Sequence, residues 1–140
     1  SGFYEWTATG PKTKQAWAIA PEADLYAFAG IWETWSKGPT PLRSLAILTQ
    51  ASTGPMSQVH DRMPVILPEE NLALWLDPEP GVPEKLQPLL APLPAELMTA
   101  WPVSPRMNNV RYEAPDCVEP VPPPRPAGEN TDDQLSLGLA

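Results

Sequence analysis

Aromatic and polar residues alternate from Gly2 through Thr7, break at Thr9-Gly10-Pro11-Lys12, and the pattern resumes from Gln15 through Ala20. Period-2 patterning on both sides of a Gly-Pro turn predicts a β-hairpin. Leu25 to Trp35 and Leu42 to Ser52 are two further strand-like runs, each bounded by Gly or Pro, and Val59 to Leu67 is another. Their composition suits a pleated, half-buried surface, so these segments are expected to join in one curved antiparallel sheet. After Pro68 the period lengthens. Leu72, Trp75 and Leu76 fall at i, i+3, i+4 behind Glu69 and Glu70, whose carboxylates suit the positive end of a helix dipole. Asp77-Pro78 ends that helix. A second helix is expected over Pro83 to Leu90, with Leu86, Leu89 and Leu90 on one face, and a last strand over Met98 to Ser104.

Composition sharpens this picture. The chain has 140 residues, 42% of them hydrophobic, with six Trp, which is enough for the core of one domain. Of its 21 prolines, 14 fall from Pro78 onward and cut the second half into short pieces. The expected class is α+β, with a domain over 1–118. From Glu119 the run Pro-Val-Pro-Pro-Pro-Arg-Pro and the polar stretch after it have little to bury, so 119–140 is expected to be a disordered, acidic, Pro-rich tail.

Some function classes drop out. No apolar run reaches the length of a membrane span, and the N-terminus shows neither a basic region nor a cleavage site, so a cytoplasmic protein is expected. Cys117 is the only cysteine and His60 the only histidine, which excludes an internal disulfide and a Cys/His zinc cage; no metal or cofactor is expected. The net charge is −8, yet residues 1–65 carry five basic against five acidic side chains, whereas 66–140 carry four against twelve. Any site for a polyanion therefore belongs to the first half.

Three polar positions lie in apolar surroundings: Glu5 within Gly2-Phe3-Tyr4-Glu5-Trp6, Glu33 between Trp32 and Trp35, and His60-Asp61-Arg62. Each carboxylate fits the solvent-facing member of an alternating strand as well as it fits a catalytic group. If Val59 to Pro64 is extended, His60 and Arg62 share one face, setting a titratable proton donor beside a permanent cation. That pair suits an anionic substrate: the imidazole can pass a proton to a sugar oxygen while the guanidinium fork holds a phosphate. Asp61 could instead pair locally and only shape the turn. Trp17, Trp32, Trp35 and Glu33 are assigned to structure, the three indoles to the core.

Four ordered blocks then become specific: Gly2-Phe3-Tyr4-Glu5-Trp6, Phe28-Ala29-Gly30-Ile31-Trp32-Glu33-Thr34-Trp35, Ile47-Leu48-Thr49, and Val59-His60-Asp61-Arg62-Met63-Pro64-Val65-Ile66-Leu67. They resemble the signature blocks of the SOS response-associated peptidase (SRAP) family. Val103 to Val110 is similar to that family's closing block.

The resemblance implies a curved, barrel-like β core with short helices and a groove for single-stranded DNA carrying abasic sites. It implies an N-terminal cysteine, freed by autopeptidase removal of the initiator Met, whose amine and thiol condense with the lesion's aldehyde into a thiazolidine, a covalent DNA–protein crosslink. By the same resemblance Glu5 and His60 are catalytic: Glu5 serves the amine and His60 the opening of the sugar. Arg62 holds phosphate, Thr49 lines the site and Trp6 packs by the DNA groove. The segment that carries the cysteine in the family is not in this sequence, so the chain reads as the C-terminal portion of such a domain, incomplete at its N-terminus. A Ser1 hydroxyl closes a far less stable ring than a thiolate, and Cys117, being internal, has no free amine. Two other classes stay open, a noncatalytic DNA-repair adaptor and a hydrolase of other proteins; for the second no Ser/His/Asp or Cys/His set is in sight. The expected state is a monomer associated with the bacterial nucleoid. In the tail, Gln134, Leu135, Leu137 and Leu139 form a Gln-Leu-x-Leu-x-Leu run similar to peptides that dock on the bacterial DNA sliding clamp, which makes that clamp a second expected partner.

Overall fold

The computed structural model describes residues 2–79 and 83–123. The hairpin at the start forms as expected: β1 (Phe3–Gly10) pairs antiparallel with β2 (Thr13–Pro21), with Phe3 opposite Ile19 and Trp6 opposite Ala16. Gly2 opens it because a Cβ there would lie 2.3 Å from the Ile19 carbonyl oxygen, so only glycine lets the two backbones approach.

Seven further strands follow: β3 (Ala27–Phe28), β4 (Gly30–Trp35), β5 (Leu42–Ile47), β6 (Thr49–Ala51), β7 (Arg62–Pro64), β8 (Ile66–Leu67) and β9 (Met98–Val103). All pairing is antiparallel, and β9 lies along β2 so that β2 is central in the order β1-β2-β9. The remaining strands pair as β3-β8, β4-β5 and β6-β7. The single curved sheet and barrel-like core expected from sequence are corrected here: the described residues form four separate sheets and no closed barrel.

The reason lies at three one-residue breaks, where the strands change partners. The Ala29 N–H donates to the Val65 carbonyl, the Val65 N–H to Leu48, and the Leu48 N–H to Ala29, each at 2.9 Å. This closed ring pairs the backbone groups of residues that are buried or half-buried, which a plain fork would leave unmet. One side of it leads directly into Thr49 and the other into Pro64.

The core has three parts. Ile19, Met56, Val59, Met63, Ile66 and Met98 pack under one face of the β1-β2-β9 sheet; Ala16, Ala18 and Val103 pack under the other with Tyr4, Trp101 and Met107. Ala29, Val65 and Leu67 form the third with Leu72, Trp75, Leu89 and Leu90. Met56 and Val59 come from a 3₁₀ turn, Gly54–Gln58, and its C-cap. Gly54 takes a φ of +56°, where other residues are strained, and a Cβ there would lie 2.8 Å from that of Ala95.

The helices are shorter than the pattern suggested. α1 (Glu69–Trp75) begins on its two glutamates, but Leu76 caps it 73% exposed rather than joining its buried face. α2 (Pro83–Leu86) gives way at Gln87–Leu90 to a 3₁₀ turn because Pro88 lacks the N–H that would continue it. The strand expected from Leu25 starts only at Ala27. Trp32 and Trp35, expected in the core, are 66% and 50% exposed, since nothing described packs on β4 or β5; Trp17 is half-buried against the first core.

Beyond β9 a loop is tied down by side chains. Trp101 Nε1–H donates to the Val118 carbonyl at 2.8 Å, the Tyr4 hydroxyl to that of Cys117 at 3.2 Å, and Tyr112 to the Asp116 carboxylate at 2.8 Å. After Glu119 the chain still follows β9, with the Val121 N–H bonded to the Pro102 carbonyl at 2.9 Å. Gln134, Leu135, Leu137 and Leu139 lie outside the described residues. No described helix is long and apolar enough to cross a membrane.

Candidate functional site

The β6–β7 ladder pairs Thr49 with Pro64 and Ala51 with Arg62, which sets Arg62 diagonally across from Thr49 on the outer face. Met63 and Gln50 point the other way, and buried Met63 anchors the pair to the first core. The Arg62 guanidinium donates to Thr49 three times: Nε–H to Oγ1 at 3.0 Å, Nη2–H to Oγ1 at 2.7 Å and Nη2–H to the carbonyl at 2.6 Å. Both lone-pair positions of the Thr49 hydroxyl are thereby taken, which turns its own O–H outward with the Nη1 hydrogens of Arg62. The exposed side of this pair presents donors only, which suits an anion.

His60 precedes this strand rather than lying in it. The extended segment expected over Val59 to Pro64 is corrected: Val59 has helical φ and ψ as the cap of the 3₁₀ turn, the His60 N–H bonds back to the Met56 carbonyl, and the strand starts at Arg62. Arg62 N–H donates to His60 Nδ1 at 3.1 Å, and an Asp61 carboxylate oxygen lies 3.1 Å from the same nitrogen. Nδ1 is thus held by its neighbours, and Nε2 is the nitrogen left to act. Asp61 lies close enough to pair locally when Nδ1 carries a proton, whereas the Arg62 N–H bonds to the same nitrogen when it does not.

Glu5 is half-buried on the β1 face that also carries Phe3 and Thr7, directly across from Trp17. Thr7 Oγ1–H donates to the Val59 carbonyl at 3.1 Å, so this face abuts the turn that bears His60. The structure therefore brings Thr49 and Arg62 into contact, sets His60 beside them, and places Glu5 on the strand face from which Thr7 reaches the same turn. Glu33 is solvent-facing. Buried Trp17 Nε1 has no hydrogen-bond partner, leaving an unmet donor in the strand beside Glu5.

Trp6 belongs to the opposite face of β1. Its Nε1–H donates to Asn108 Oδ1 at 2.8 Å, across 102 positions of sequence. Asn108 was not singled out from sequence. It lies in the Val103 to Val110 block, but no periodicity or charge pattern linked it to Trp6.

The family model described as SOS response associated peptidase (SRAP) matches residues 1–110. The chain is 40% identical over 119 residues to the abasic site processing protein YoqW of Bacillus subtilis, covering 84% of this chain and 53% of that protein. It is 32% identical over 141 residues to the abasic site processing protein HMCES of Gallus gallus, covering 86% of this chain and 41% of that one. A crystal structure of a protein from Bacteroides thetaiotaomicron superposes with a TM-score of 0.73 at 22% identity, over 86% of this chain and 53% of that one. The chain thus spans about half the length of the curated relatives it matches.

Proposed function

The chain belongs to the SOS response associated peptidase (SRAP) family, and on that premise we propose that it carries the lesion-holding half of an abasic-site processing centre acting on single-stranded DNA. The observation that carries this reading is the Arg62–Thr49 pair, whose outer side offers donors alone. Arg62 Nη1 and the Thr49 O–H would hold the phosphate next to the abasic sugar, bringing its ring oxygen within reach of His60.

His60 then works as the acid. With Nδ1–H donated to the Asp61 carboxylate, the imidazolium passes its Nε2 proton to the deoxyribose ring oxygen as the C1′–O4′ bond breaks; the C1′ hydroxyl proton leaves to water and the aldehyde is exposed. The nucleophile is the N-terminal cysteine that the family carries ahead of the Gly2 block. Its amine adds to the aldehyde and water leaves. The thiolate then closes the thiazolidine on the same carbon. Glu5 would accept and return the amine's proton.

The test has two steps. Fluorescence anisotropy with the 140-residue chain should give tighter binding to single strands bearing an abasic site than to intact ones. Arg62→Ala should remove that preference and lower the salt slope of log affinity by about 0.7, the share of one phosphate contact on a single strand. Joining the family's Cys-led segment to this chain should then give a covalent band on denaturing gels. In that protein His60→Ala should slow its appearance by roughly 10²-fold. Parental binding by Arg62→Ala, or an unchanged rate in His60→Ala, sinks the assignment of that residue.

A further inference from the structure

Thr7 is half-buried two positions beyond Glu5, on the same face of β1. Its hydroxyl donates to the Val59 carbonyl at 3.1 Å, across 52 positions of sequence. That carbonyl and the His60 N–H belong to one planar peptide unit. The N–H end of the unit donates to the Met56 carbonyl at 3.0 Å, and Met56 is fully buried in the first core. The peptide that enters His60 is thus held at both ends, by the core through Met56 and by β1 through Thr7. A planar unit gripped at both polar groups cannot turn without breaking one bond, so the backbone of His60 is placed before its side chain makes any contact. The side chain follows: the Arg62 N–H reaches Nδ1 at 3.1 Å, while the imidazole is 45% exposed and open to a substrate. The turn closes without Thr7. The Val59 and His60 N–H groups both bond back to Met56, and the Ser57 hydroxyl donates to the Gly54 carbonyl at 2.8 Å. What the threonine adds is the place of that turn relative to the strand that bears Glu5.

We infer that Thr7 is a positioning residue for His60: through the Val59 carbonyl it fixes the imidazole against β1, so that one strand sets both Glu5 and the acid. The inference rests on the abasic-site reading, in which His60 opens the sugar and Glu5 serves the amine. A proton donor acts only from within hydrogen-bond reach of the atom it protonates, so a turn free to shift against β1 would lose rate without losing the donor itself.

His60 is the only histidine of the chain, so its ring signals stand alone in NMR spectra of the 140-residue protein. In the neutral imidazole, an Nδ1 that accepts the Arg62 N–H leaves the proton on Nε2, and the parent should show that tautomer alone. Thr7→Val keeps the branched shape and removes the O–H; it should show both tautomers. Thr7→Ser returns the hydroxyl and should resemble the parent. A parental imidazole in Thr7→Val overturns the inference. In the protein joined to the family's Cys-led segment, Thr7→Val should slow the covalent band on the order of tenfold, and leave the preference for abasic over intact strands unchanged. In a His60→Ala background it should slow the band no further, because its effect passes through the imidazole. Equal slowing in both backgrounds overturns the inference in favour of a threonine that only stabilises the fold. If the joined protein gives no covalent band, the abasic-site reading falls, and a mixed tautomer in Thr7→Val still keeps Thr7 as the residue that positions His60. If the band forms and slows in His60→Ala but not in Thr7→Val, the reading stands and the role of Thr7 falls.

Discussion

Two antiparallel hairpins of this chain, β1–β2 and β4–β5, meet opposite fates. In the first, Ala16, Ala18 and Ile19 of β2 are at most 2% exposed, because β9 pairs along its open side and side-chain layers cover both faces. In the second, Ile31, Trp32, Leu42 and Leu45 are 54%, 66%, 60% and 69% exposed. Its register sets Trp32 against Leu45 on one face and Trp35 against Leu42 on the other. Strands apolar on both faces are the pattern of a hairpin packed on both sides, and among the described residues neither side receives a layer. Alternation therefore decides which residues share a face. It does not decide what covers that face, and only the covered hairpin should carry stability.

That contrast can be broken at several points. Ile19→Ala should cost about 2–5 kcal/mol in urea unfolding, the range for emptying a fully buried aliphatic site; a loss below about 1 kcal/mol would mean the first hairpin is not the better packed. Gly54→Ala acts on the turn that supplies Met56 and Val59 to the same core. It should cost roughly 1–2 kcal/mol from left-handed strain, plus the clash with Ala95, and a neutral result would show that this turn gives way freely.

Tyr4→Phe removes the hydroxyl that ties β1 to Cys117 and should cost about 0.5–1.5 kcal/mol at neutral pH. Burial first, and then the Cys117 thiol, push the Tyr4 hydroxyl above its ordinary value of 10.0. Since the folded state holds this proton more tightly, its contribution is full below pH 10.0 and is lost as pH climbs from there through the raised folded value. Alkaline melting curves of Tyr4→Phe should therefore be flatter than those of the parent, and parallel curves would refute the tie. The smallest effect is expected on the bare hairpin. Leu45→Ser should change unfolding free energy by less than about 0.5 kcal/mol while reducing binding of an apolar dye; a large destabilisation would show that β4–β5 is packed after all.

The candidate site divides in the same way. The contact between Thr49 and Arg62 is short-range sheet geometry, and the placement of both residues in strands was legible from the runs that hold them. The turn at Val59 was not, because Val59-His60-Asp61-Arg62 satisfies a period of two as well as it satisfies a cap followed by a strand. What decided was Met56, which is fully buried and whose carbonyl takes the His60 N–H. Asn108 was hidden for another reason. Its partner Trp6 is 102 positions away, and no local pattern encodes a meeting of that kind.

By itself the sequence determined the first hairpin and its turn, the start of α1 on two glutamates, and the strand at Met98. These follow from local backbone preference and from periods of 2.0 and 3.6, which act over a few residues. The tertiary structure alone decided that the strands form four sheets, the three two-stranded ones joined through the Ala29–Leu48–Val65 ring, that Trp6 meets Asn108 while Glu5 shares the face of Thr7, and that Trp32 and Trp35 lie bare. Those outcomes depend on which distant segment arrives to pair a backbone group or cover a side chain, and burial is a property of that arrival rather than of the residue.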